Sequence, residues 1–240
     1  VMEALNKENE LNEIKSRFGS MASHEFRTPL STVLSSAALI SKYTTEDEQD
    51  KRGRHIKRIK DSVKHLNDLL DDFLSLGKLE ENRIKAETSA FDVKEFSEEV
   101  IDEMKTFLKE QQTISSCYAG GKEFVTDKRL LRNILINLLG NAIKFSGEGS
   151  VISLEIREAD ARLKLSVKDE GVGVSEEDQQ HLFASFFRGK NVVNIEGTGL
   201  GLHIVKRYVN LLNGSIKLES KLNAGTTVSV ELPLLPVNPD

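Results

Sequence analysis

Residues 23–30 place a histidine beside a carboxylate within a pattern that is otherwise typical of a helix. His24 and Thr28 are four residues apart and therefore share one helix face, with Glu25 next to them. An imidazole can act as a nucleophile through one ring nitrogen when a carboxylate accepts the proton of the other. Taken alone, the segment fits a surface histidine on a kinked helix equally well.

The one proline in the interior of the chain, Pro29, follows directly. It lacks the N–H that would bond the carbonyl of Glu25, so the helix is expected to loosen there. The helical series of apolar residues is displaced by one position at residues 24–26. Pro29 affects the same helical turn as this displacement. The two apolar series on either side are Leu11, Ile14, Phe18, Met21 and then Phe26, Leu30, Val33, Ala37, Ile40.

A helix predicted over residues 127–145 carries an unusual amide-rich face. Asparagine is a mediocre helix former, because its amide competes for backbone hydrogen bonds. Amide oxygens can ligate Mg²⁺ without adding charge, and a lysine can meet a phosphate. A plain solvated face is the alternative. The residues of this face are Asn133, Asn137, Asn141 and Lys144, and Phe145 ends the helix.

Two glycine-containing segments could bring the backbone close to a ligand. The first follows a predicted strand, and its carboxylate could accept a hydrogen bond from an exocyclic amine. The second runs into a helix, whose N-terminal N–H groups suit phosphates. It is neither a Walker loop nor a Rossmann fingerprint, because it lacks a Gly-Lys-Ser/Thr ending and follows a loop. The two segments consist of Asp169, Gly171, Gly173 and of Gly197, Thr198, Gly199, Leu200, Gly201.

The segment between these motifs joins three phenylalanines to Arg188. The phenylalanines could anchor a lid from which Arg188 reaches a phosphate, although core packing is the simpler explanation for the rings. The phenylalanines are Phe183, Phe186 and Phe187.

Two long helices, over about residues 1–42 and 47–80, must position the histidine motif. The second carries apolar residues at alternating spacings of three and four, which is a heptad seam. One hairpin cannot enclose such long seams alone, so we predict a dimeric four-helix bundle. The seam is Ile56, Ile59, Val63, Leu66, Leu70, Phe73.

Beyond about residue 86 the pattern predicts an α+β layer that positions the asparagines and glycines. The fold class is therefore a helical hairpin over residues 1–86 followed by an α/β sandwich over 87–240. Cys117 is expected in the core of this second part. The predicted helices are Phe91–Gln111 with Asp92 as N-cap, Asp127–Phe145, Ser175–Phe183 with a capping signal at Ser175, and Leu200–Leu212. The predicted strands are 114–118, 151–156, 163–167, 216–218 and 226–232.

Composition excludes several classes of protein. The 240 residues include 33 Lys and Arg against 38 Asp and Glu, a net charge of -5, which argues against a nucleic-acid binder. A single cysteine excludes a disulfide framework. No apolar run approaches the roughly 18 residues of a membrane span, so no direct membrane contact is expected. Because Val1 falls inside a helical pattern, with neither a signal peptide nor an initiator methionine, we expect a fragment of a longer protein. This fragment is expected in the cytoplasm, and a membrane anchor upstream of it in the parent protein stays open.

In this order, the segments closely resemble the catalytic core of the sensor histidine kinases, over nearly the whole chain. His24-Glu25-x-x-Thr28-Pro29 is similar to the H box of that family, and Asn137 through Phe145 to its N box. Asp169-x-Gly171-x-Gly173 resembles the G1 box, residues 183–188 the F box, and Gly197 through Gly201 the G2 box. The F box departs from the family at Ala184 and Ser185, where an acidic residue and a proline are common.

The resemblance implies a GHKL-type (Bergerat) sandwich that binds ATP and passes its γ-phosphoryl group to His24. Glu25 would accept the proton, and Thr28 would orient water in a reverse phosphatase reaction. The phosphohistidine would then supply an aspartate on a response-regulator receiver domain, and the kinase would be a homodimer.

The resemblance also assigns ligand contacts. It implies that Asn141 coordinates Mg²⁺, with Asn137 and Lys144 near the phosphates, and that Asp169 holds the adenine amine. Arg188 and the G2 glycines would surround the phosphates.

Two other functions remain open from the sequence: a catalytically silent dimeric scaffold that binds nucleotide as a signal, and an ATPase of the same superfamily. The basic run over residues 51–60 suggests nucleic acid at first sight. Its isoleucines lie on the heptad seam, so a solvated bundle surface explains it better.

Overall fold

The computed structural model describes residues 23, 25–80, 84–121, 123–192, 195 and 197–234. The chain divides into two compact units between Gly77 and Lys78. The first is helical and the second combines a mixed sheet with helices, so the predicted fold class is confirmed for a hairpin region followed by an α/β domain. None of the helices in the described part of the chain is both long and apolar enough to cross a membrane.

The first unit is a pair of helices. Helix α1 covers residues 25–40, and α2 covers Gln49–Glu80 and extends past the boundary between the two units. A 3-10 turn at Glu46–Glu48 precedes α2, so this helix begins slightly later than predicted. Pro29 is buried within α1. The predicted helix over residues 1–22 lies outside the described residues.

Each helix of this unit has one buried face and also carries apolar residues that are exposed to solvent. On α2 the buried or half-buried positions repeat with heptad spacing, and Phe26 of α1 packs on Phe73 with ring centroids 5.5 Å apart. Leu34 of α1 is 73% exposed, so not all apolar positions are used within the unit. The exposed large apolar residues of α1 and α2 are Leu30, Leu34, Leu39, Ile56, Val63, Leu70 and Leu74.

The strands of the second unit are β1 Ser89–Asp92, β2 Thr113–Ala119, β3 Glu123–Thr126, β4 Val151–Ala159, β5 Arg162–Asp169, β6 Ser215–Ser220 and β7 Thr226–Pro233. Five of them form a sheet in the order β2-β4-β5-β7-β6. Within this sheet, β2 and β4 are parallel and the other neighbours are antiparallel. A separate two-stranded sheet joins β1 to β3.

Helices of the second unit cover one face of the five-stranded sheet. They are α3 Val93–Met104, α4 Lys128–Phe145, α5 Glu176–Gln179 and α6 Gly201–Leu211, with 3-10 turns at Lys105–Phe107 and Lys190–Val192. Burial alternates along β4 and β5, as expected for strands with one face against a core. Helix α4 packs against α3, α6 and β5, and so lies at the centre of this layer.

Two predicted helices were too long. Asp92 is the N-cap of α3, as predicted, but the helix ends at Met104 and not at Gln111. The Gln112 amide donates to the carbonyls of Ile143 and Gly147, which draws this segment to the end of α4. Ser175 caps α5 as predicted, yet α5 is a single turn that ends at Gln179.

The prediction that Cys117 belongs to the core is wrong. Its side chain is exposed on β2, which lies at one edge of the sheet and pairs only with β4 in the described part of the chain. The small sheet of β1 and β3 was not predicted. Each of its strands is four residues long, too short to show a clear alternation.

Candidate functional site

The predicted phosphoacceptor motif belongs to the first unit. His24 lies outside the described residues, while Glu25 is half-buried and Thr28 exposed on α1. Beyond Thr28 the helix surface is rich in hydroxyl groups, and Thr32 donates to the Thr28 carbonyl at 3.2 Å. Arg27, Thr28, Ser31, Thr32 and Ser35 share this open surface of α1.

In the second unit, the amide face of α4 contacts the first turn of α6. A Cβ atom at Gly201 would lie 2.8 Å from Oδ1 of Asn137 and 3.9 Å from Nδ2 of Asn141. Asn137 is itself held by a hydrogen bond from its amide to the Asn133 carbonyl, at 2.9 Å. The first turn of α6 therefore begins directly against the asparagines of α4, and a side chain at position 201 would displace the Asn137 amide.

The end of α4 contacts the second glycine segment in the same way. A Cβ atom at Gly197 would overlap the ammonium group of Lys144. Lys144 Nζ also lies 5.0 Å from the ring centroid of Phe145. Gly199 has a positive φ of 68°, and a Cβ there would come within 2.7 Å of the Phe187 carbonyl oxygen. The predicted phosphate loop is thus packed between α4 and the phenylalanine segment.

The N-terminus of α6 leaves backbone donors beside these amides. Leu200 is its N-cap, and no side chain of the described residues caps the helix there. Thr198 instead turns its hydroxyl to the N–H of Leu200, at 3.0 Å. Backbone N–H groups at a helix start attract anions, so this end of the molecule suits a phosphate.

Asp169 is the last residue of β5, and its carboxylate is buried. The side chain is 8% exposed, and its Oδ1 accepts the backbone N–H of Gly171 at 2.8 Å and of Thr226 at 3.2 Å. Burial raises the pKa of Asp169, and the two hydrogen bonds offset only part of that rise. Since both N–H groups donate to Oδ1, a donor on a ligand would form its hydrogen bond with Oδ2.

Gly171 and Gly173 allow the loop after β5 to pass close to other backbone. A Cβ atom at Gly171 would overlap the carbonyl of Phe145, the same carbonyl that accepts the N–H of Val172 at 3.2 Å. Gly173 has a φ of 64°, and a Cβ there would overlap the Lys221 carbonyl. These contacts join the Asp169 loop to the end of α4 at Gly171 and to the turn after β6 at Gly173.

Arg188 is directed into its own segment. One guanidinium nitrogen donates to the carbonyl of Val192 at 3.1 Å and also to that of Ile195. Nearby, His203 of α6 contacts the Phe183 carbonyl through Nδ1, at 2.9 Å. The phenylalanine segment is therefore fixed to α6, and Arg188 shapes the turn that follows it.

The structure brings the N-box, G1 and G2 residues together in the second unit, and His24, Glu25 and Thr28 belong to the first. Sequence reasoning missed Thr226 and Gly225. The Thr226 hydroxyl lies 2.9 Å from Ser220 Oγ, and a Cβ at Gly225 would overlap the Asp169 carbonyl. The turn residues before Gly225 were the available signal. Among the described residues, no three of His, Cys, Asp and Glu gather as a metal site.

The residues present fit a nucleotide. Buried Asp169 offers an acceptor at one end, and the glycine segment and α6 offer donors at the other. The amide oxygens of α4 are hard ligands of the kind that Mg²⁺ takes together with phosphate oxygens.

Comparison with known proteins gives two family matches. Residues 14–82 match the His Kinase A (phospho-acceptor) domain, and residues 126–236 match the histidine kinase-, DNA gyrase B- and HSP90-like ATPase domain. Histidine protein kinase DivJ of Caulobacter vibrioides is 32% identical over 228 residues, which cover 92% of this chain and 38% of the relative. The chain thus spans well under two thirds of this relative.

Two solved structures are also similar. Full-length ShkA in complex with AMPPNP is 28% identical with a TM-score of 0.66, over 90% of this chain and 46% of that one. Histidine kinase ThkA in complex with the response regulator protein TrrA is 21% identical with a TM-score of 0.70, over 98% and 67% of the two chains. At that identity, the second likeness shows the fold alone.

Proposed function

This chain belongs to the histidine kinases, and from that premise we propose that it transfers the γ-phosphoryl group of ATP to His24. In this reaction Nε2 of His24 attacks the γ-phosphorus, and the bond to the leaving ADP oxygen breaks. The proton on the other ring nitrogen passes to Glu25. Phosphoryl transfer depends mainly on positioning and charge neutralisation, so the nucleotide site matters as much as the nucleophile.

The observation that supports this proposal most is the contact between α4 and the glycine segment. A Cβ atom at Gly197 or Gly201 would displace the end of the Lys144 or the Asn137 side chain, so both side chains lie directly against this segment. Amides, an ammonium group and the N–H groups of a helix start therefore meet in one place, which suits a triphosphate.

In the bound state, Oδ2 of Asp169 accepts a hydrogen bond from the exocyclic amine of adenine. Gly171 and Gly173 let the ring approach the backbone. Asn137 and Lys144 face the phosphates together with the segment Gly197, Thr198, Gly199, Leu200, Gly201, and Phe145 flanks the site. Arg188 would join them by turning away from the Val192 and Ile195 carbonyls, to which its guanidinium donates in the structure. Asn141 would hold Mg²⁺, which supplies charge neutralisation between the phosphates when bound.

We further propose a response-regulator receiver domain as the partner that takes the phosphoryl group from His24. The solved complex of ThkA with its response regulator supports this by likeness of fold. Thr28, exposed on α1, would orient water in the reverse reaction. Because ATP and response regulators are cytoplasmic, we place this part of the protein there.

The unused apolar face of the first unit supports a homodimer. Ile56, Val63 and Leu70 recur at intervals of seven and are 44%, 44% and 49% exposed. A heptad-spaced apolar stripe is what a second helical hairpin would cover in a four-helix bundle. We therefore propose domains over residues 1–86, for dimerisation and phosphoacceptance, and over 87–240, for ATP binding.

Incubation with γ-labelled ATP and Mg²⁺ tests the reaction. We expect an acid-labile, alkali-stable label that is lost in His24→Ala, in Asn141→Ala and after chelation of Mg²⁺. Asn133→Ala is the matched control, since it removes an amide from the same helix face outside the proposed ligand set. A label that survives His24→Ala would contradict the proposal.

Two alternatives give different outcomes in the same assay. Tight binding of ATP without any transfer, although His24 is intact, would favour a silent dimeric scaffold. Steady hydrolysis without a phosphoenzyme would favour an ATPase of the same superfamily.

A further inference from the structure

The segment that carries Arg188 is anchored from two sides just beyond this residue. The carboxylate of Asp178, on α5, accepts the backbone N–H of Lys190 through Oδ2 at 3.2 Å. One residue later, Nδ2 of Asn191 donates to the carbonyl of Gly173 at 2.9 Å. Consecutive residues are therefore attached to α5 and to the loop that follows Asp169.

The first anchor is a buried carboxylate that the proposed chemistry does not use. Asp178 is 5% exposed, and the Ser175 hydroxyl accepts its backbone N–H at 3.2 Å. A buried carboxylate is costly unless its oxygens accept hydrogen bonds, so this site specifies the position of the Lys190 backbone. The neighbouring ion pair of Lys190 with Glu177 is more than three-quarters exposed on both sides and adds little.

Gly189 fits between the two anchors. A Cβ atom there would lie 3.0 Å from Oδ1 of Asn191 and 3.4 Å from Oδ2 of Asp178. The glycine is buried, and the two polar side chains close over it. The arrangement thus fixes the path of the chain immediately after Arg188.

We propose that Asp178 is a positioning residue for the nucleotide site, with Asn191 as its partner. Asp178 holds the Arg188 segment by its backbone, and Asn191 attaches the same segment to the Gly173 loop. The part of the site that faces the phosphates is thereby fixed relative to the part that faces adenine. This inference rests on the proposed function, which assigns those two faces.

Binding of AMPPNP and of adenosine to the full chain tests the inference. Loss of the anchor should weaken the phosphate-dependent part of binding most. We expect Asp178→Ala to lower affinity for AMPPNP about tenfold and for adenosine less than about threefold. Asp178→Asn keeps an oxygen that can accept from Lys190, so it should restore most of the AMPPNP affinity. Glu176→Ala is the matched control, because it removes an exposed carboxylate from the same helix.

A purely structural role would lower the melting temperature and weaken both ligands equally, and that result would overturn the inference. If Asp178→Ala does not fold, Asn191→Ala repeats the test at an exposed side chain, with about a threefold loss expected for AMPPNP. Wild-type affinity in that variant would also overturn it. A wild-type chain that binds no AMPPNP would refute the proposed function itself, which separates the two failures.

Discussion

Asp169 and Thr226 lie opposite each other in the register of β5 and β7, and the Thr226 N–H donates to the Asp169 carboxylate at 3.2 Å. The pairing places a buried acceptor at the end of a central strand. Burial raises the pKa of Asp169 despite this hydrogen bond and that from Gly171. The raised pKa gives the carboxylate a measurable signature without any ligand.

Asp169→Asn should remove the pH dependence that Asp169 gives to the unfolding free energy just above the ordinary pKa of aspartate. Between the ordinary pKa of aspartate and the raised pKa of Asp169, the folded protein keeps a proton that the unfolded chain releases. The unfolding free energy of the wild type therefore falls as pH rises through this window and levels off above it. The variant keeps Oδ1 as acceptor but does not titrate, so its stability relative to wild type should rise over the same window in urea unfolding.

The same variant should lose nucleotide affinity, because an amide presents a donor or a weaker acceptor to the adenine amine. Loss of a hydrogen bond to a charged group corresponds to about tenfold or more in the dissociation constant for AMPPNP. Asp160→Asn, at an exposed carboxylate of the same unit, serves as control. Equal affinities of Asp169→Asn and wild type would contradict the adenine assignment.

Asp127 should show the opposite pH behaviour. Burial acts to raise its pKa, but hydrogen bonds from the Glu87 and Leu130 backbone and from Arg129 outweigh it and lower the pKa. The stabilisation is therefore complete above the ordinary pKa of aspartate and is lost as pH falls through the lowered value. Asp127→Asn should remove this loss of stability at acidic pH, as measured by urea unfolding between neutral and acidic pH.

Substitution of Asp127 by serine separates its two structural contacts. Oδ1 caps α4 through Leu130, and Oδ2 accepts the Glu87 N–H at 2.9 Å. Serine can cap the helix but cannot also reach Glu87, so Asp127→Ser should cost about 1 kcal/mol and Asp127→Ala about 2 kcal/mol.

Asp92 supplies a matched control for that experiment. It caps α3 through Oδ1 alone, with donors Lys94 and Glu95 in its own helix. Asp92→Ser should therefore be nearly neutral in chemical unfolding. If Asp127→Ser proves equally neutral, the contact to Glu87 does not stabilise the second unit.

What the sequence could predict was local. Asp92 and Ser175 were identified as helix caps because a cap bonds a backbone N–H only two or three residues away. The asparagine face of α4 was visible because helical periodicity follows from spacing alone. The glycine segments are visible because glycine lets the backbone approach a ligand, but their contacts with Lys144 and Asn137 required the structure.

What it missed depends on contacts between distant parts of the chain. Thr226 meets Asp169 only through the register of β5 and β7, and no local pattern encodes that register. Asp178 and Asn191 each bond a residue on another segment. Cys117 was placed in the core because cysteine is usually buried, but an edge strand exposes it.

Val63→Glu should prevent dimerisation of the chain. Val63 is 44% exposed in the middle of the apolar stripe of α2, and a charge there would be buried without a partner in a bundle. An unpaired buried charge costs about 3 kcal/mol or more, which is about a hundredfold in the dimer dissociation constant. Sedimentation at micromolar concentration measures the change.

Arg54→Gln is the control for that substitution. It lowers the net charge by the same single unit, and nine residues at about 100° each place it on the opposite side of α2. It should leave the dimer intact. A wild-type monomer, or a Val63→Glu variant that stays dimeric, would contradict the assignment of this face.

Gly173→Ala, in the loop that follows Asp169, should weaken nucleotide binding. The φ of Gly173 is 64°, and a Cβ would overlap the Lys221 carbonyl, so the loop must move to accept the methyl group. A left-handed conformation costs a residue with a Cβ about 1–2 kcal/mol before that overlap is counted. We expect at least about tenfold weaker binding of AMPPNP, since the loop also receives adenine.

Gly147→Ala provides the comparison, because a Cβ at that exposed glycine meets nothing within 4 Å. Both variants should be assayed at a temperature where circular dichroism shows them folded, so that lost binding is not lost structure. Gly147→Ala should bind AMPPNP like the wild type. Since the two substitutions add the same methyl group, equal affinities would mean that the backbone path at Gly173 does not shape the nucleotide site.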